Sequence, residues 1–258
     1  MKAAILSQIK QFIQRTGYEV VRVKKQRENF STLDFDQEFI LLYAQIERYT
    51  MTSKERVYAL YEAIKYIISN NIPGDIVECG VWRGGSMMTT AHTLLARGDN
   101  KRLLYLFDTF EGMPPPSEQD RLYTGQTAAS LLADSERSLE DVVWAYSPLD
   151  QVQENLHSTG YPQERIVFIK GKVEDTLPDK APQQIALLRL DTDWYGSTYH
   201  ELSTLYPRLV HGGVLIIDDY GWWQGARQAV DQYFSEQYEK PLLCRIDDTG
   251  RICVKTSI

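Results

Sequence analysis

Cysteine is scarce in this chain, and its three copies, Cys79, Cys244 and Cys253, are far apart and odd in number. Such an arrangement builds neither a disulfide framework nor a cysteine-rich zinc site, and it fits a reducing, cytoplasmic setting. Long hydrophobic runs are missing too. Residues 1–23 place Ile5, Ile9, Phe12 and Ile13 near helical spacing, but Ser7, Gln8, Lys10 and Gln11 interrupt the apolar face, so neither a signal peptide nor a membrane span is expected. The expectation is instead a helix packed on the domain or on a second subunit. Positive charge is in deficit, 28 Lys and Arg against 35 Asp and Glu, for a net charge of −7. A phosphate backbone would be repelled, so nucleic acid is not an expected partner. The sequence also carries no internal repeat and no low-complexity tract. Its four histidines, His92, His157, His200 and His211, show no ligand spacing and read as packing or surface residues.

What is present is alternation. With 258 residues, 43% of them hydrophobic, the chain can bury one substantial core but not a second full catalytic domain. Val57, Leu60, Ile64 and Ile67 repeat as one helical face over residues 54–70, with Thr52 and Glu55 as a possible capping box and Pro73-Gly74 as the stop. Strands are expected at 75–79, 103–107, 166–169, 185–190 and 214–217, and helices near 86–97, 150–158, 197–209 and 225–238. A short helix is suggested at 175–177. Apolar strands alternating with helices make an α/β, mostly parallel sheet covered on both faces. Residues 242–246 and 252–255, joined through Asp247-Asp248-Thr249-Gly250, form a C-terminal antiparallel hairpin and bring the strand count to seven. The stretch 111–135 contains Pro114-Pro115-Pro116 and no clear period, and it leaves the end of a strand, so it reads as a lid over a ligand.

The chemistry gathers at strand ends. Where the first strand turns into a helix lies Glu78-Cys79-Gly80-Val81-Trp82-Arg83-Gly84-Gly85-Ser86. Its glycines permit close backbone approach to a nucleotide, but Trp82 stands where a dinucleotide fingerprint needs glycine, which disfavours an NAD-dependent enzyme. Glu78, Gly80, Val81, Trp82, Arg83 and Ser86 are therefore candidate cofactor contacts. Asp108, with Thr109 beside it, follows the second strand, where a carboxylate can accept from ribose hydroxyls. After the third strand, Gly171, Val173 and Glu174 are placed to meet an adenine, although Glu174 and Asp175 could equally cap a short helix. The fourth and fifth strands end in Asp191-Thr192-Asp193 and Asp218-Asp219, so four carboxylates converge at one edge of the sheet. Crowding of that kind is costly unless a cation relieves it, and hard oxygen donors suit Mg²⁺ or Mn²⁺. Tyr195 and Trp222, with Trp194 and Trp223, could stack on a sugar or aromatic ring, or simply pack.

These residues resemble the macrocin O-methyltransferase family. The likeness rests on residues 72–86 (IPGDIVECGVWRGGS), 107–114 (FDTFEGMP), 190–195 (LDTDWY) and 217–221 (IDDYG), in that order, and extends from about Tyr49 to the end. It implies the Rossmann-like class I methyltransferase fold, and methyl transfer from S-adenosylmethionine to a hydroxyl of a small natural product, such as the sugar of a glycosylated secondary metabolite. It implies Asp191, Asp218 and Asp219 as ligands of Mg²⁺, with Asp191 also near the cofactor, and Asp193 as general base. Thr50, Met51 and Ser53, within residues 49–53, would lie over the methionine end of the cofactor. A homo-oligomer, dimer or larger, partly built by N-terminal helices, is implied as well. The corresponding division is an N-terminal helical and cofactor-covering part over 1–70 and a methyltransferase domain over 71–258, with its lid near 111–135. A catechol-type enzyme acting on an aglycone would employ a lysine base soon after the first ligand, and residues 192–198 contain none. An inactive nucleotide-binding regulator is opposed by the intact carboxylate set.

Overall fold

The computed structural model describes residues 34–238 and 240–256, so the helix expected over 1–23 lies outside the described residues. The chain divides into Met1–Asp36 and Gln37–Ile258, and the sheet with its helices lies in the second unit. Two helices that precede the sheet, α1 (Gln37–Ile46) and α2 (Lys54–Ser69), belong to that unit as well. Val57, Leu60, Ile64 and Ile67 of α2 are buried, as the helical face expected over residues 54–70 requires. Ser53 caps α2: its backbone is extended and its Oγ accepts from the Arg56 N–H at 3.1 Å. The box expected from Thr52 and Glu55 does not form there, and the Thr52 hydroxyl pairs with that of Thr50 at 3.0 Å.

A seven-stranded sheet runs in the order β3-β2-β1-β4-β5-β7-β6. Its strands are β1 (Asp75–Cys79), β2 (Leu104–Asp108), β3 (Ile166–Lys170), β4 (Ile185–Leu190), β5 (Leu209–Ile217), β6 (Cys244–Arg245) and β7 (Arg251–Val254). The first five pair in parallel, and β7 runs antiparallel between β5 and β6. β4 is buried at every position, as a central parallel strand covered on both faces must be. β5 starts five residues before the stretch expected to form it and runs through Gly212-Gly213. Covering helices are α3 (Gly85–Ala96), α5 (Leu149–His157), α6 (Val173–Thr176), α7 (Tyr195–Leu205) and α8 (Gln224–Glu236), while α4 (Ala128–Ala133) lies in the long β2–α5 connection. Among the described residues no helix is long and apolar enough to cross a membrane.

The stretch expected to be a lid is held at many points. Arg121 bridges to Thr127 and Leu122 to Trp223, and the Tyr123 N–H donates to the Trp222 carbonyl at 2.9 Å. Trp194 Nε1 donates to the Pro114 carbonyl at 3.0 Å, and buried Asp120 accepts from the Tyr195 N–H at 2.8 Å. Ala128 and Leu132 of α4 pack with Trp194, Trp223 and Ala226 into a small apolar cluster of their own.

Candidate active site

The sheet reverses its winding direction between β1 and β4, and at such a switch point the two C-terminal strand ends leave a crevice. Here it is a cavity of about 550 Å³. Its floor begins at Gly80, which leaves β1 at φ +82°. A Cβ at this position would stand 1.8 Å from the Asp191 carbonyl oxygen, so only glycine lets the β1 and β4 ends lie this close. The turn beyond is held by Asp108. Its Oδ2 accepts from the N–H groups of Val81 at 2.6 Å and Trp82 at 3.1 Å, and its Oδ1 from Phe110 at 2.7 Å. Burial nevertheless raises the Asp108 pKa, outweighing those hydrogen bonds.

Three of the five strand-end acids, Glu78, Asp191 and Asp218, are tied together by two arginines, which also reach Asp247 in the C-terminal hairpin turn. From the middle of β4, Arg189 donates through Nη1 to Glu78 and to Asp191, each at 2.7 Å, and through Nη2 to Asp218 at 2.6 Å. Arg56, on the first turn of α2, pairs through Nη1 with the other oxygen of Asp218 and through Nε with Asp247 at 2.9 Å. The crowding that the sequence left to a cation is thus relieved in part by the protein itself. Burial pushes Glu78 up to about 8 despite its contact with Arg189, and its Oε2 has no hydrogen-bond partner.

Asp193 and Asp219 have no ion pair among the described residues. Asp193 stands in the left-handed region at φ +67°, its N–H donating to Asp219 Oδ2 at 3.2 Å, and the two carboxyls share a hydrogen bond. Burial and the charge of Asp191 push the Asp193 pKa up, and burial with the charges of Asp193 and Asp191 pushes that of Asp219 up. Thr192 braces the turn between Asp191 and Asp193: its hydroxyl lies 2.9 Å from both Ser197 Oγ and Glu201 Oε1. Asp191, Asp218 and Asp219 each bring one oxygen within 4.8 Å of the other two, the spacing a divalent cation needs.

Of the residues singled out in the sequence, Thr50, Met51, Gly80, Val81, Trp82, Ser86, Asp108 and Thr109 line this cavity, as do Gly171, Val173, Glu174, Asp191, Asp193, Asp218, Asp219 and Trp222. Four others are not among its lining residues. Ser53 caps α2, and Glu78 is buried behind the floor on Arg189. Arg83 stacks on Trp82 and donates to the Leu139 carbonyl at 2.5 Å. Tyr195 stacks on Tyr199 and donates to Gln232 at 2.7 Å. Sequence reasoning missed Arg56, Arg189 and Asp247. Arg189 did leave a signal, since a charge inside the apolar run Leu187-Leu188-Arg189-Leu190 must find buried partners.

Comparison with known proteins agrees with this geometry. Residues 43–254 match the family described as Macrocin-O-methyltransferase (TylF). The chain is 36% identical over 203 residues to the 8-demethyl-8-(2,3-dimethoxy-alpha-L-rhamnosyl)-tetracenomycin-C 4'-O-methyltransferase of Streptomyces olivaceus, covering 78% of this chain and 74% of that one. It is 33% identical over 206 residues to the demethyldecarbamoylnovobiocin O-methyltransferase of Streptomyces niveus, with coverage of 78% and 74%. The solved structure of the O-methyltransferase NovP superposes with a TM-score of 0.71 at 32% identity, over 81% of this chain and 83% of that one. With the family's sequence matched through the sheet and the cavity that the sheet builds, the chain belongs to the macrocin-O-methyltransferase (TylF) family and is an O-methyltransferase.

Proposed function

We propose that this protein transfers a methyl group from S-adenosylmethionine to a sugar hydroxyl of a glycosylated secondary metabolite, assisted by Mg²⁺ or Mn²⁺. The observation that carries the reading is the meeting of the Asp191, Asp218 and Asp219 oxygens, within 4.8 Å of one another, in the cavity that the Gly80 turn opens. Three hard carboxylate donors fit a divalent cation of this class, and among the described residues no histidine or cysteine joins them. S-adenosylmethionine also fits: backbone of the glycine turn, the acidic Asp108 and a cavity of about 550 Å³ match a nucleoside carrying an amino-acid tail. When bound, the sulfonium supplies an electrophilic methyl group and the cation lowers the acceptor's pKa.

The protein's own residues do the rest. Asp193, raised in pKa and facing the cavity, takes the hydroxyl proton, and its left-handed backbone is fixed by the Thr192 brace. Met51, Val142 and Trp222 line the cavity yet are 46%, 60% and 43% exposed, and Tyr123 packs against Trp222 at a tilt with ring centroids 5.3 Å apart. This apolar rim suits an acceptor whose sugar enters ahead of a hydrophobic aglycone. The rhamnosyl-tetracenomycin substrate named for one relative carries such a sugar. Self-association belongs to the same reading and is measured by sedimentation.

The test is methyl transfer from radiolabelled S-adenosylmethionine to a panel of glycosides, their aglycones and free sugars, with and without chelator. Labelled glycoside only when Mg²⁺ or Mn²⁺ is supplied is the expected result. Full activity of exhaustively chelated enzyme removes the metal, and labelling confined to aglycones removes the sugar.

A further inference from the structure

Asp218 presents a problem to any cation it is asked to hold. Its Oδ1 accepts from Arg189 Nη2 at 2.6 Å, and its Oδ2 is taken by Arg56 Nη1. It lines the cavity at 3% exposure with both oxygens already on guanidiniums, so a cation placed on it lies beside a positive charge. Repulsion then favours the departure of one guanidinium, and the two are not equally free to leave. Arg189 sits inside β4, and withdrawing it would strand Glu78, itself 1% exposed, together with Asp191. Arg56 projects from the first turn of α2, and its Nε already rests on Asp247 at 2.9 Å.

Asp247 is built to keep that arginine. Ser53 Oγ donates to its Oδ2 at 2.5 Å, while its Oδ1 accepts from the N–H groups of Thr249 at 2.9 Å and Gly250 at 2.7 Å. Gly250 also leaves the space along which Arg56 lies, because a Cβ there would come 2.8 Å from Arg56 Cδ.

The geometry points to an exchange of cations: Arg56 and the divalent metal compete for Asp218, and loading the metal sends Arg56 to Asp247 alone. The inference rests on the proposed metal site and adds to it a residue that opposes the metal. Two like charges a few ångströms apart repel in a site this buried, so the arginine is a built-in competitor whose removal tightens metal binding. While no metal is bound it neutralises Asp218. Arg56 is thereby a residue that sets metal affinity without being a ligand.

Calorimetric titration of Mn²⁺ into the full-length chelated protein, without substrate, tests this. Arg56→Gln should lower the Mn²⁺ Kd by about tenfold or more, since a competing charge is gone. Asp247→Asn is the opposing arm: it removes the resting place of Arg56 while keeping the turn's Oδ1 acceptor, and should raise the Kd several-fold. Arg97→Gln, whose partner is Glu38 on the outer surface, is the control and should leave the Kd unchanged. Unchanged or weaker binding in folded Arg56→Gln overturns the exchange while leaving the metal site standing. Should that variant not fold, an unchanged or lower Kd in Asp247→Asn overturns it instead. Absence of Mn²⁺ binding in every protein, wild type included, overturns the metal reading and the exchange with it.

Discussion

Gly85, the first residue of α3, tests whether the segment before α2 forms a wall of the cofactor cavity. A Cβ added there would meet the Tyr49 carbonyl oxygen at 2.5 Å, its carbon at 2.7 Å and Thr50 Cβ at 2.8 Å. Ordinary contact needs roughly 3.4–4.0 Å, so Gly85→Ala must push Tyr49 and Thr50 outward by roughly 1 Å. Overpacking of this kind costs about 1–3 kcal/mol, and the better helix former returns up to about 1 kcal/mol of it. Net stability should therefore fall by about 0–3 kcal/mol. Cofactor binding should suffer more, because Thr50 and Met51 line the cavity, and a wall displaced by roughly 1 Å can weaken a fitted ligand by ~10-fold or more. The comparison variant is Gly98→Ala, at φ +74° with nothing within 4 Å of its Cβ. It carries a backbone penalty of about 1–2 kcal/mol and should leave the cofactor alone. Calorimetric Kd for S-adenosylhomocysteine, with urea unfolding of both variants, gives the split. Equal cofactor affinity in Gly85→Ala and wild type would refute the wall.

Asp193→Asn should keep metal and cofactor Kd near wild type while lowering kcat by roughly 10²–10⁴-fold, as loss of a general base does; rescue of the rate by excess Mg²⁺ would instead make Asp193 a ligand. Asp108→Ala should weaken S-adenosylhomocysteine by about 1–3 kcal/mol, through loss of a buried acceptor and of the hydrogen bonds that shape the turn; an unchanged Kd in the folded variant removes Asp108 from the site. Stability should also depend on pH in a defined direction. A carboxyl whose folded pKa is raised contributes stability that is full below its unfolded value, about 4, and is lost as pH rises through the folded one. With Asp193 raised to about 7, chelated protein should lose stability on going from pH 5 to pH 8, and Mn²⁺ should restore it. Stability that rises over that interval, unaffected by Asp219→Asn, would contradict the assignment.

Much of the fold was legible because buried parallel strands write themselves plainly. β1 and β4 begin and end where their apolar runs do, bounded by Pro73-Gly74 on one side and by Asp191 on the other. β5 was read too short because Gly212-Gly213 looks like a break, whereas the strand runs on with Gly213 packed against Leu209 and the Ala186 carbonyl. α4 was invisible: six residues, Ala128–Ala133, are too few for a period to show. In the site, the acids were visible as strand ends and their partners were not. Arg56 and Asp218 are 162 positions apart, and no local pattern records such a pairing. Ser53, which the resemblance places over the methionine end of the cofactor, has its hydroxyl on the helix cap and on Asp247, and no local pattern records the second contact.

The stitching of Leu122 to Trp223 and of Tyr123 to Trp222 bears on how molecules come and go. A flap must swing on a free edge, and this one is basted along its length to the start of α8, with Trp194 pinning it again at Pro114. Met51, on the chain ahead of α2, and Val142, on the chain ahead of α5, also line the chamber and are 46% and 60% exposed. Met51 lies on the same stretch that carries Ser53 and Arg56, so a wall of the chamber and the charge paired with Asp218 are parts of one continuous run of backbone.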